Sequence, residues 1–342
     1  MSKIIQKSPL LNDSKSPADK IKESFTPKQW EVIQEHFRKK LKYKHAGRSA
    51  SSKSIFLLSD LHCGAVSAIM WEPRGNEEAR KRHKALKSFW ESMPDQWQNK
   101  TQTAIIINGE PVNGQGRKQN GGENWTSNIT LQLDDAERLI RLFRYKSILL
   151  TRGSGYHSTD GQTNYEEELA RRLGAIKYVG MFGDALSEHE SGKSMLYGIK
   201  DAGGRWGQHT DYYLWLGVHD KLFSVTHHIG FSRWQSYRTT GIAAEMSNIN
   251  HLRGRYFPDN MECTNVIRSH VHYQVLVSYG TQNGYTTLCW KLADSFQYHG
   301  GMAATNGHIG GCEVLVESNG KITYNKITMP NESHPKYQVI YL

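Results

Sequence analysis

The chain has 342 residues and a mass of 39.0 kDa, enough to bury a full core and to form one large or two ordinary domains. No apolar run approaches the ~18 residues a membrane span needs, and the opening MSKIIQKSPLL lacks the apolar core of a signal peptide, so a soluble, cytoplasmic chain with no membrane partner is expected. The net charge is +10, but thirteen Lys and Arg against five Asp and Glu fall within residues 1–53, so the basicity belongs mainly to an N-terminal arm. Cys63, Cys263, Cys289 and Cys312 show no C-x-x-C spacing and read as reduced thiols rather than a zinc cage or a disulfide frame.

In chain order, residues 1–23 are polar and interleave Lys, Ser, Pro and Asp, the texture of a poorly ordered leader. Thr26, Pro27 and Gln29 then spell a capped helix start, and Trp30, Ile33, Phe37 and Leu41 follow on one face. Arg38, Lys39, Lys40 and Lys42 place cations at the C-terminal end, where the helix dipole favours them. This basic, partly disordered and helical arm, residues 1–53, has two readings: a helix docked on the core, or a handle for the phosphate backbone of DNA or RNA. The segment GRSASSK, residues 47–53, reads as a linker, and a second domain is expected over 54–342.

The core opens on SIFLLSDLHCG, residues 54–64, an apolar strand that delivers Asp60 and His62 at its C-terminal end. Strand alternation predicts that the two leave the backbone on the same side. A helix is expected over 77–93, a buried strand over 103–109 running into Glu110 and Asn113, and a helix over 133–145. A strand over 147–151 ends in RGSGYHS, and a helix follows over 165–173. This β-α-β-α-β-α order predicts a mostly parallel sheet with helices on its faces. From Lys177 onward the texture changes to hairpins. Gly203-Gly204, Asn283-Gly284 and Asn319-Gly320 read as turns, the last two as type I′ candidates, and one helix interrupts over 232–251. The expected fold is therefore an α/β sandwich of two sheets flanked by helices.

Ligand-type side chains recur at strand ends. Asp60 and His62 end the first strand, Glu110 and Asn113 the second, and Ser154 and His157 follow the third. FSVTHH ends an apolar run in His227 and His228, and a further run leads into Ser269, His270, Val271 and His272. Carboxyl ends of strands form the ligand crevice of open α/β sheets. The count fits two divalent ions, with a shared carboxylate and with Asp60, paired imidazoles and an amide as terminal ligands, ~3.5 to 4 Å apart. His227 and His228 leave a strand on opposite faces, so only one of them is expected to bind.

The series DLH, GEPVN, RGSGYH, THH and SHVH resembles the calcineurin-like metallophosphoesterase superfamily, whose motifs run D-x-H, G-D-x-x-[DN], G-N-H-[DE], H and G-H-x-H. The likeness covers about residues 54–327 and lies in the order of five motifs, each weak alone. It implies a two-sheet metallophosphoesterase sandwich in which Asp60 and His62 match ligands of the first metal, His270 matches a ligand of the second, and His272 matches the last histidine of the final motif. Glu110 stands where the family has a bridging aspartate, and Asn113 matches the amide or carboxylate three residues on. The third motif departs most: it lacks the family's asparagine ligand, whose place either Ser154 or water takes, and His157 follows an insertion. By resemblance His157 protonates the leaving oxygen; the residue alone reads equally as a metal ligand or a solvated loop histidine. A looser likeness to phosphoesterases of phage and prophage genomes is carried by RGSGYHS.

The resemblance implies hydrolysis of phosphoester bonds by a metal-activated hydroxide, without a covalent intermediate. Manganese is the expected cofactor ion, with Fe, Zn, Co or Ni also compatible with imidazole and carboxylate donors. Arg117, Lys118 and Trp125 after the second motif, and Arg233, Trp234 and Arg238 after the histidine pair, could grip phosphate and stack on a base. These favour a phosphodiesterase or nuclease over a phosphomonoesterase or protein phosphatase. Two other classes stay open: a nucleic-acid-binding protein with a degenerate metal site, and a structural protein whose histidines are satisfied core groups.

Overall fold

The computed structural model describes residues 52–97, 102–115, 122–159, 163–177, 194–198, 209–219, 221–256, 263–293 and 308–330. The N-terminal arm through residue 51, Arg117, Lys118 and the Gly203-Gly204 turn lie outside them.

Apolar runs form the first sheet: β1 (Lys53–Leu58), β2 (Gln102–Asn108) and β3 (Ser147–Thr151) run parallel, with the short β5 (Thr210–Asp211) beyond β3. The antiparallel hairpin β11 (Gly310–Val316) and β12 (Ile322–Thr328) completes it, in the order β12-β11-β1-β2-β3-β5. The second sheet is β4-β6-β7-β8-β10-β9, from β4 (Ser194–Gly198), β6 (Tyr213–Val218), β7 (Lys221–Thr226), β8 (Cys263–Arg268), β9 (Leu276–Tyr279) and β10 (Gln282–Thr286).

Strand alternation sorts the side chains into layers. Ile55, Leu57, Ala104 and Ile106 point to one side of the first sheet and meet Leu216, Phe223, Val225 and Ile267 of the second. Phe56, Leu58, Ile105 and Ile107 point to the other side, under α1 (Glu77–Gln96), α2 (Ile129–Ile140) and α4 (Tyr165–Leu173). The expected sandwich is therefore present, with one correction. Helices cover only the outer face of the parallel sheet, because its inner face is the sheet-to-sheet core. The outer face of the second sheet packs on α5 (Arg238–Tyr256) through Ile242, Met246 and Ile249.

Local chemistry sets the boundaries. Asn128 accepts the N–H groups of Thr130 and Leu131 and starts α2 four residues before the apolar spacing predicts. A 3-10 turn, Gln235–Tyr237, delays α5 to Arg238. Asn283-Gly284 is not a turn but lies inside β10. Any Cβ at Gly284 would sit 2.4 Å from Met246 Sδ, so this glycine serves helix-on-sheet packing. The turn comes earlier, at Gly280, where φ is 58°. Asn319-Gly320 does turn the β11–β12 hairpin, but only Gly320 is left-handed, at φ 86°. The Gly320 N–H donates to Glu317 O, so the turn is not type I′.

Candidate metal centre

Because β1, β2 and β3 are parallel, Leu58, Asn108 and Thr151 end at one rim; β7 and β8, also parallel, end beside it at Thr226 and Arg268. Asn108 joins the two rims. Its Nδ2 donates to Thr226 O at 3.1 Å and Ser269 Oγ at 2.5 Å, and its Oδ1 accepts from Thr151 Oγ1 at 2.5 Å.

The aim of Asp60 and His62 does not come from strand alternation. β1 stops at Leu58, and both residues lie beyond it with left-handed backbones, φ 51° and 48°. Loop 59–63 instead zips to loop 109–113: Asp60 N donates to Gly109 O, His62 N to Glu110 O and Cys63 N to Pro111 O. Glu110, His270 and His272 are left-handed as well, at φ 54°, 71° and 56°. Among the described residues only one other non-glycine, His219, has a positive φ. Each such residue costs about 1–2 kcal/mol, so the backbone strain is concentrated on this one cluster, as at sites where side-chain placement outweighs stability.

Two donor groups converge there and share Glu110: Asp60, His62, Glu110 and His272 form one, and Glu110, His227 and His270 the other. Glu110 Oε2 lies 3.1 Å from His62 Nε2, while Oε1 lies 3.3 Å from His227 Nε2 and 3.8 Å from His270 Nδ1. Each oxygen of one carboxylate thus faces a different group. Asp60 Oδ1 is buried and accepts no hydrogen bond of good geometry, yet Nε2 of His272 lies 3.2 Å away and Nε2 of His62 and of His227 each 3.9 Å. A buried carboxylate oxygen ringed by nitrogens it does not properly bond is what a cation would satisfy.

Neighbours fix the rings. The Nδ1–H of His227 donates to Asn108 O at 2.7 Å and that of His62 to Asn113 Oδ1 at 2.9 Å, which turns each Nε2 inward. Asn113 thereby orients His62, and its Nδ2 donates to Asn124. Ser154 donates its hydroxyl and its backbone N–H to Glu110 Oε1. His157, on the one-turn helix α3 (Gly155–Ser158), donates Nδ1–H to Asn113 O at 2.6 Å and packs edge-on against His62 at 4.8 Å. Of the histidine pair, His227 is buried in the centre; His228 is exposed, its ring 4.5 Å from that of His270.

Glycines permit this closeness. A Cβ on Gly109 would lie 2.4 Å from His227 Nδ1, and one on Gly153 2.4 Å from Glu110 Cγ. Two buried residues that no motif marks complete the surroundings. Glu166 accepts the N–H of Glu110 at 2.9 Å and that of Gly153 at 2.9 Å. In sequence it is one of three glutamates opening α4, a pattern that reads only as dipole stabilisation. Lys291 is also buried, and its charge acts on His62 and His157.

Burial pushes the Asp60 carboxyl up, but the His227 and His272 rings outweigh it and hold the group down at about 2. Burial opposes a charge on His227, yet Glu110 and Asp60 raise it to about 10. Burial, then the charge of Lys291, takes His62 down to about 3, and burial takes His270 to about 4. Burial likewise lowers His157. Burial raises Glu166 to about 6. The centre therefore offers ionised carboxylates and mostly neutral imidazoles.

The proposed substrate side chains differ in exposure. Arg233 and Trp234 are exposed. Arg238 is buried against the Tyr273 ring at 4.4 Å, and Arg74 covers the Trp125 ring at 4.3 Å. Arg238 is thus engaged by Tyr273, and one face of Trp125 by Arg74.

No protein-family model matches the chain, and no curated protein matches it. Solved structures similar to it include a novel archaeal phosphodiesterase, 12% identical, covering 80% of this chain and 99% of that one with a TM-score of 0.35. A Streptococcus pneumoniae protein described as a predicted phosphoesterase is 8% identical, with 82% and 99% covered and a TM-score of 0.31. Vacuolar protein sorting 29 from Cryptosporidium parvum is 8% identical, with 81% and 97% covered and a TM-score of 0.34.

Proposed function

We propose that the chain is a metal-dependent phosphoesterase acting on phosphodiesters, with two divalent ions held by Asp60, His62, Glu110 and His272 on one side and Glu110, His227 and His270 on the other. The observation that carries the reading is the Glu110 carboxylate, whose two oxygens face separate donor groups. The donor set joins four imidazoles to two carboxylates, which suits Fe, Zn, Co or Ni as well as Mn. Divalent ions bound there acidify water and neutralise charge on phosphoryl oxygens.

The chain's own residues supply the rest. Asn113 and Asn108 hold the His62 and His227 rings in register. His157 keeps Nδ1–H on Asn113 O, so it is the Nε2–H of the protonated ring that passes a proton to the leaving oxygen and leaves a neutral imidazole. Ser154 holds Glu110 Oε1 and fills the position of an asparagine ligand without adding a nitrogen or amide donor. The basic arm, residues 1–53, is proposed to hold the phosphate backbone of DNA or RNA outside the centre.

The test is an assay of the full chain loaded in turn with each metal, against mono- and diesters and against single- and double-stranded DNA and RNA, with metal content measured in parallel. Two ions per chain and diester hydrolysis are expected. A chain that binds one ion or none, and is silent on every substrate with every metal, sinks the reading.

A further inference from the structure

We infer that Phe231, Trp234 and Tyr237 form a stacking rim for the bases of a single-stranded nucleic acid whose backbone enters the metal centre; the inference rests on the phosphoesterase reading. All three lie on the loop that leaves His227. Large exposed apolar side chains scattered singly need no explanation. Here three fall within seven residues, at 53%, 65% and 62% exposure, and Trp234 is the most exposed large apolar side chain among the described residues.

The loop is held in place, so these rings are presented rather than loose. Ser232 N donates to the hydroxyl of Tyr273, which adjoins His272, at 3.2 Å. Trp234 N donates to Ser232 Oγ, and Tyr237 N to Trp234 O at 3.0 Å. Ile229 is buried, and the exposed His228 ring lies 4.5 Å from the ring of His270 in the second donor group.

Charge and composition select the occupant. From His227 to Ala244, and again from Cys263 to Ala293, the sequence has no Asp or Glu, while Arg233 is exposed on the loop itself. The aliphatic side chains nearest in sequence, Ile229 and Ile242, are both buried and add nothing to the exposed surface. Aromatic faces with arginine and no acid, at the mouth of a site for phosphoesters, match the way single strands are held: every base has a face to stack, whatever its identity. Duplex bases are already stacked on each other and cannot use such a rim.

The test is fluorescence anisotropy with the full chain in EDTA, so that no strand is cut, using labelled oligothymidylate, an abasic oligonucleotide of equal length and a duplex. The wild type is expected to bind oligothymidylate at least about tenfold more tightly than the abasic strand. Trp234→Ala and Phe231→Ala each lower that affinity by about 5- to 100-fold and close the gap, whereas Arg233→Ala weakens both strands alike. Circular dichroism confirms folding of the variants. Equal binding of base-bearing and abasic strands, or a duplex bound as tightly as the single strand, overturns the proposal. So does a molar mass that halves in Trp234→Ala, which marks an interface between copies. Hydrolysis of bis(p-nitrophenyl) phosphate by the metal-loaded wild type is scored separately: activity with no base preference removes the rim alone, and base preference with no activity under any metal removes the phosphoesterase reading alone.

Discussion

The Glu166 carboxylate accepts the backbone N–H of Glu110 at 2.9 Å, and so fixes the left-handed backbone from which Glu110 presents one oxygen to each donor group. The same carboxylate holds Gly153 N, tying the loop after β3 to the loop after β2. Glu166→Ala strands two buried N–H donors at a cost of about 1–3 kcal/mol each. A lower Tm is expected, together with a loss of metal affinity of about 10- to 100-fold, as for other residues that support ligands from behind. Calorimetric titration with Mn separates the two effects. Unchanged affinity in a folded variant would show that Glu166 acts on the fold alone.

Metal uptake should release a proton near pH 7. His227, raised to about 10 by Glu110 and Asp60, has to lose its proton to bind an ion, whereas His62 at about 3 and His270 at about 4 have none to lose. Affinity is expected to climb with pH until His227 loses its proton, and titration in buffers of different ionisation enthalpy counts the release. The metal-free chain follows the opposite trend. The raised pKa of His227 contributes stability that is full below 6.5 and lost as pH rises through about 10; the lowered pKa of Asp60 contributes stability present above 3.8 and lost as pH falls through about 2. Because the lowered pKa values of His62 and His270 remove stability as pH falls below 6.5, a pH series of Tm values in EDTA is expected to peak near 6.5.

His157→Ala should discriminate between leaving groups. An alkoxide leaving group needs a proton and should slow by about 10²- to 10⁴-fold, while p-nitrophenolate needs none and should change little. Burial lowers the pKa of His157, so the acid-dependent limb with alkoxide substrates lies below the ordinary 6.5. Equal losses on both leaving groups would assign His157 to positioning of His62 instead.

Gly153→Ala tests the centre by shape alone. The added Cβ falls 2.4 Å from Glu110 Cγ, and no left-handed φ at Gly153 complicates the outcome. The variant is expected to fold and to hold fewer ions per chain by elemental analysis. Full occupancy would mean that the loop yields and that Glu110 keeps its place.

The layers were legible because apolar runs state burial directly: β3 over 147–151 and α4 over 165–173 lie where the sequence puts them. The donor residues were legible as types at strand ends, yet their aim was not. Alternation along β1 accounts for Phe56 and Leu57, but Asp60 and His62 owe their direction to left-handed turns that no residue pattern announces. Gly284 shows a second limit. A glycine after asparagine signals a turn locally, and only the approach of Met246 from another element reveals its use inside a strand. Glu166 and Lys291 were illegible for the same reason, since their partners lie on other loops.

Asn108 links the ends of both sheets, and each donor group draws on both, with His62 and His272 standing 210 positions apart. Neither group exists in a half-folded chain. Contacts of such long range form late, after loop closure has already been met. An ion therefore has nothing to grip until the sheets have docked, and it cannot nucleate folding. The stabilisation from an ion bound there would fall on the unfolding rate, so a loaded protein is expected to be long-lived rather than fast to fold.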